Sequence, residues 1–179
     1  IMALSLNGVT ITGKTSLGPA TLPGYRYFRL NITGSVGLYI RFQAVKIMVS
    51  STAYPFAIGN MTSNTLPTPL VASASSIYDS PFEAWRAFAN EAGGNDTYRW
   101  ISASSAPQWL QVDLGSGNNI VPTSLQLCAD SDAAASYVTD FQLLGSNTGL
   151  FTGEQTTLYT SATLTSANWT ANTFTTFTF

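Results

Sequence analysis

Period-two alternation of apolar and polar residues dominates this chain. From Trp109 to Leu114 the residues change sides one by one: Trp109, Gln111 and Asp113 face one way, Leu110, Val112 and Leu114 the other. That is the pattern of a strand with one buried face. The same alternation runs through Tyr25-Arg26-Tyr27-Phe28-Arg29-Leu30-Asn31-Ile32, Tyr39 to Met48, Ile120 to Leu127, Val138 to Leu144 and Thr173 to Phe179. Turn signals separate these runs at Gly34, Gly37, Gly115-Ser116-Gly117-Asn118-Asn119 and Asn147-Thr148-Gly149. No stretch of a dozen residues keeps a convincing helical period. The best helical candidate is Pro81 to Asn90, where Phe82, Trp85, Phe88 and Ala89 would share a face. Short strands joined by such turns predict an all-β sandwich.

The chain's 179 residues fit one domain with at most a short appendage, and suffice for an apolar core without disulfides or metals. Residues 50–70 carry Pro55, Pro67 and Pro69 among Thr, Ser and Asn. They read as an ordered connection lying over the sandwich, or alternatively as a flexible linker between two pieces. Charged residues make up 9% of the chain, against roughly 25% in a typical domain. Seven basic and nine acidic residues, with no basic run, argue against a nucleic-acid partner. No apolar stretch is long enough to span a bilayer and no leader is evident, so a soluble chain is expected.

Histidine is absent, which excludes Ser-His-Asp and Cys-His chemistry and imidazole metal ligation. The lone Cys128 excludes an internal disulfide and a cysteine-based zinc site, and reads as a small buried hydrophobe.

Five motifs follow one another in order: Val71-Ala72-Ser73-Ala74-Ser75-Ser76, Ala87-Phe88-Ala89-Asn90, Trp100-Ile101-Ser102, Pro107-Gln108-Trp109-Leu110-Gln111-Val112-Asp113-Leu114-Gly115, and the run from Val138 to Gly149 that ends Gly145-Ser146-Asn147-Thr148-Gly149. Together they resemble the coagulation factor V/VIII type C, or discoidin-like, domains. The resemblance implies a galactose-binding-like jelly-roll β-sandwich of antiparallel strands, with residues 81–90 as a loop holding a short helical turn. It also implies two closing strands that the C-terminus lacks. Tyr25 to Thr33 and Leu38 to Val49 resemble them. Circular permutation accounts for this simply, and strand exchange between subunits is the alternative. Under permutation the uncharged tail Asn172 to Phe179, an aggregation hazard if free, would pair with the Tyr25 to Thr33 strand. The expected division is a 1–24 arm or hairpin with Leu4, Leu6, Val9 and Ile11 to bury, then a 25–179 sandwich. Within the latter, 25–49 supplies closing strands, 50–70 the connection and 71–179 the main body. Met2 reads as a natural start.

The family's calcium ligands are not matched. Ala89 stands where the family has Asp, and Gln43-Ala44-Val45-Lys46 where its Glu would fall; Glu91 and Asp96 are the substitutes on offer. No metal or cofactor is therefore expected. By analogy, ligand meets the loops at one end of the sandwich. There Tyr78 with Asp79, Tyr98 with Asn95 and Asp96, and Tyr137 with Asp130 and Asp132 combine an aromatic face with polar groups, as a sugar requires. Trp100 and Trp109 read as core residues. Arg26, Arg29 and Arg99 are expected to pair with carboxylates such as Asp113. Asp130 with Asp132 is the densest acidic pair, yet no motif supports catalysis.

The expected function is non-catalytic recognition of cell-surface glycans. The composition suits a bacteriophage tail or fibre adhesin, virion-bound or extracellular, homo-oligomeric and in contact with other virion proteins. The alternatives are a purely structural virion assembly protein and a carbohydrate-binding module of a secreted bacterial hydrolase.

Overall fold

In the computed structural model, described for Ser5–Leu6, Val9–Thr10 and residues 24–179, two antiparallel sheets face each other. The first has the strand order β11-β10-β3-β8-β6. It comprises β3 (Tyr27–Val36), β6 (Val71–Ala74), β8 (Gln108–Asp113), β10 (Tyr137–Ser146) and β11 (Thr156–Thr160). The second runs β12-β9-β4-β5, with β7 also pairing β4. Its strands are β4 (Arg41–Val49), β5 (Thr52–Tyr54), β7 (Trp100–Ile101), β9 (Ser124–Ala129) and β12 (Phe174–Thr178). A separate two-stranded pair joins β1 (Ser5–Leu6) to β2 (Val9–Thr10). The apolar face expected for the first 24 residues, and a start at Met2, fall outside the described residues.

Alternation in sequence becomes the core. Phe28, Leu30 and Ile32 of β3, Leu110 and Val112 of β8, and Phe141 and Leu143 of β10 are buried. They meet Phe42, Val45 and Ile47 of β4 and Leu125 and Leu127 of β9 in one cluster. Both strands from the N-terminal segment are interior to their sheets, β3 between β10 and β8 and β4 between β9 and β5. The closing strands are therefore supplied by residues that precede the rest of the sandwich. Residues 50–70 also contribute core, through Phe56, Met61 and Leu70.

Four expectations need correction. The tail strand β12 pairs with β9, Phe174 opposite Cys128 and Thr178 opposite Ser124, not with β3. Both flanks of β3 are already taken by β8 and β10. Trp109 is only half-buried on the outer face of its sheet, where the Arg29 guanidinium lies 4.3 Å from its ring centre. Arg29 bonds to the amide oxygen of Gln111 rather than to a carboxylate, because Gln111 is its cross-strand partner. Residues 80–88 form two short 3₁₀ turns, Ser80–Phe82 and Ala84–Phe88. Their buried side is Ala84, Ala87 and Phe88, with Ala89 also buried at the end of the second turn, while Phe82 and Trp85 stay half-buried. Trp100, by contrast, is fully buried, and its indole N–H donates to the Ser76 carbonyl at 3.0 Å.

The sandwich has a polarity. Tyr25 exchanges backbone hydrogen bonds with Ile120 at 2.8 and 3.0 Å, and the Phe179 N–H donates to the Thr123 carbonyl at 3.2 Å. Its first and last residues thus meet beside the same turn. The six-residue β9 carries the chain from that turn to the opposite end, about 20 Å away.

Candidate functional site

At that opposite end, four separate stretches of chain converge on an open cleft of about 220 Å³ lined by Tyr39, Arg41, Tyr78, Phe82, Arg99, Ile101 and Asp132. Tyr39 lies just before β4 and Arg41 begins it, while Arg99 precedes β7 and Ile101 ends it. Tyr78 and Phe82 belong to the first 3₁₀ turn and its approach, and Asp132 to the turn after β9. The Tyr78 N–H bonds to the Ile101 carbonyl at 2.8 Å, which fixes the approach to β7. The Tyr78 ring then meets Tyr39 edge-on at 4.8 Å and Phe82 at 6.0 Å. Tyr78 is about half exposed, at 52%, so a face of this aromatic group remains open.

Asp130 organises the charges beneath the cleft. Its side chain is wholly shielded, and its Oδ2 faces Nη1 of Arg41 at 3.6 Å and Nη1 of Arg99 at 3.4 Å. Its Oδ1 accepts the Asp132 N–H at 2.9 Å. Arg41 also pairs with Asp132, and Arg99 with Asp96 at 3.2 Å. Burial pushes the Asp130 carboxyl above the usual carboxylate range, against the lowering effects of the Asp132 amide and the two guanidinium groups. The Nε atoms of Arg41 and Arg99 are buried without a partner among the described residues. Both arginines are therefore held through their tips by carboxylates rather than along their length.

A bulge places the next group. Phe42 and Ala44 of β4 oppose the consecutive residues Ala129 and Cys128 of β9, so Gln43 is the extra residue. Gln43 is fully buried, and its amide donates to Asp96 Oδ1 at 2.5 Å and Asn172 Oδ1 at 2.7 Å. Gly93 closes over this region at φ +65, and a Cβ there would sit 2.8 Å from the buried Cys128 sulfur. Burial pulls the Asp96 carboxyl upward, but hydrogen bonds from Ser131 and Gln43 and the charge of Arg99 outweigh it and leave the group below its ordinary value. Donors therefore satisfy Asp96. An amide and a guanidinium point at it where a calcium site would need further oxygen ligands. The residues here do not fit that ion, and no group of three or more metal-ligating residues occurs among the described residues.

The residues singled out from sequence divide four ways. Tyr78 and Asp132 line the cleft, while Asp130 and Asp96 hold its arginines. Tyr137 lines a separate small void together with Arg41 and Trp169. The other three serve their own turns. Asp79 caps the 3₁₀ turn by accepting the Ser80 N–H, Asn95 accepts the Thr97 N–H, and the Tyr98 N–H bonds to the Asn95 carbonyl. Tyr39 and Arg41 were missed because they lie some 90 residues from Asp132, at the entry to a strand whose alternation signals only sheet. Asp130 and Asp132 lie side by side on one arginine instead of facing each other across a cleft, which is not the geometry of a hydrolytic carboxylate pair.

The model of one domain family, described as NedA-like, galactose-binding domain, matches residues 92–179. No curated protein and no solved structure matches.

Proposed function

We propose that the chain is a non-catalytic module that binds a glycan in the Tyr39–Tyr78–Asp132 cleft; the match of residues 92–179 to the NedA-like galactose-binding domain model supports this reading. One observation carries the reading. An open tyrosine face stands beside the oppositely charged pair Arg41–Asp132. A sugar ring presents an apolar C–H face and vicinal hydroxyls, which need a flat apolar surface together with an adjacent donor and acceptor. The charges around the cleft, Arg41 and Arg99 against Asp96, Asp130 and Asp132, nearly cancel, which favours a neutral sugar. Low charge, richness in Thr, Ser and Asn, and the lone cysteine support placement on a virion surface as a tail or fibre adhesin for cell-surface glycans. The matched region begins after β3 and β4, and this supports a circularly permuted member of the family.

A glycan array that includes bacterial surface polysaccharides tests the reading. Selective binding, unaffected by a calcium chelator, is expected, and silence across the array would sink it. In the array-positive protein, Tyr78→Ala is expected to weaken binding by about tenfold with an unchanged melting temperature, because half of that ring is already in water.

Acid should separate binding from folding. The raised pKa of Asp130 means that its ionised form costs stability above its folded pKa, and protonation removes that cost as pH falls. The depressed pKa of Asp96 means the reverse: its contribution is complete above the ordinary value of about 3.9 and is lost as pH falls through its lower folded pKa. Asp130 therefore protonates first and releases Arg41 and Arg99 from their shared counter-charge. Affinity is expected to fall at a higher pH than the fold does, as followed by titration and circular dichroism from neutral pH into acid. Coincident loss of both would contradict the role given to Asp130.

A further inference from the structure

At the other end of the sandwich lies a larger and less polar cavity of about 310 Å³, bounded by Tyr25, Val121, Pro122, Leu158 and Phe179. Val121 and Phe179 are left 40% and 38% exposed. Two sheet edges flank it, β11 with the sequence Thr-Thr-Leu-Tyr-Thr and β12 with Phe-Thr-Thr-Phe-Thr. Neither carries a charge. Exposed edges are ordinarily blunted by Lys, Pro or inward charges, so two uncharged edges beside an apolar groove indicate a surface that is covered.

We propose that the N-terminal segment of this same chain, residues 1–23, is the cover. Its tether starts at the groove itself, because Tyr25 forms part of the wall. The backbone pairing Ser5–Thr10 and Leu6–Val9 encloses Asn7-Gly8, the turn dipeptide of a tight hairpin. An isolated hairpin of this kind is marginal in water and needs a surface to pack on. In the sequence, positions 4, 6, 9 and 11 are Leu, Leu, Val and Ile, the spacing that a hairpin in this register assigns to one face. The whole segment holds a single charge, Lys14. Residues 11 to 24 span up to roughly 40 Å when extended, ample for the hairpin to fold back over the groove.

Hydrogen exchange on the full chain tests this. Peptides covering 119–123, 156–160 and 177–179 are compared between the natural sequence and a Leu6→Asp, Val9→Asp double variant, with Val121→Asp as an independent disruption of the groove side. Both variants are expected to exchange about fivefold faster at these three places, while 108–113 and 124–129 keep their rates. Protection must also be independent of protein concentration. Unchanged exchange in the double variant would overturn the proposal. Protection that disappears on dilution would overturn it too, since the cover would then be a second copy.

Discussion

Replacing Asp130 with alanine is expected to abolish glycan binding, raising Kd by a hundredfold or more, and to lower stability by about 3 kcal/mol. The carboxylate is fully shielded, and two guanidinium groups converge on one of its oxygens. Its removal leaves both cations without their common partner in a half-buried setting. The cost stays at the low end of that for breaking a buried pair, because each arginine is about one-fifth exposed and keeps a second carboxylate, Asp132 or Asp96. Asp130→Asn separates the two effects. Asparagine preserves the shape and still accepts the Asp132 N–H, and it removes the desolvated charge responsible for the raised pKa. Stability should change by less than about 1 kcal/mol, yet binding should still fall about tenfold, since nothing then draws Arg41 and Arg99 together. Thermal melts and titration calorimetry on the two variants decide the matter. An Asn variant that binds like the natural protein would show that Asp130 matters only to the fold.

The second large effect lies in the core. Trp100→Ala should cost about 4 kcal/mol, lowering the melting temperature by roughly 10 °C in a domain of this size. The indole is completely buried between the sheets, and its N–H satisfies the Ser76 carbonyl. Alanine therefore leaves both a large void and an orphaned acceptor. The comparison is Trp109→Ala, on the outer face of the other sheet. That substitution loses a half-exposed surface and the stacking of Arg29, worth about 1 kcal/mol together. Equal losses in the two variants would contradict the placement of these tryptophans. Trp100 also lies between two residues of the cleft wall, Arg99 and Ile101, so its loss should weaken binding as well.

How much of this was legible in the chain depended on the range of the interaction. The alternation of β3, β8 and β10 reports each residue's own side of a sheet, and it predicted Phe28, Leu30, Leu110 and Val112 as core. The same alternation put Trp109 opposite Leu110 and Val112, yet a tryptophan in a strand argued for the core, and the structure leaves it half-buried on the outer face. Strand partners are a different matter. An uncharged Phe-Thr strand fits any free edge, so nothing in residues 174–178 distinguishes β9 from β3. The site was half visible. Tyr78, Asp96, Asp130 and Asp132 combine aromatic and acidic groups in polar loops, and they do converge. Arg41 and Tyr39 reach them only through the pairing of β4 with β9 and β7, a contact between segments far apart in sequence. Asp79, Asn95 and Tyr98 share the composition of a binding loop but do not line the cleft; one side-chain oxygen each of Asp79 and Asn95, and the backbone N–H of Tyr98, serve local turns. The Gln43 bulge left no local signature, because an inserted residue in a strand looks like any other.

The meeting of Tyr25 and Phe179 beside the 120–123 turn governs how the domain can be mounted. Anything joined before residue 24 or after residue 179 departs from the end farthest from the cleft. Many copies fixed on one scaffold could then all point their clefts outward, and no tether would cross a neighbour's opening. Individual sites of modest strength would act together through effective concentration, so the range of surfaces held would depend on the spacing of copies more than on the grip of any one of them.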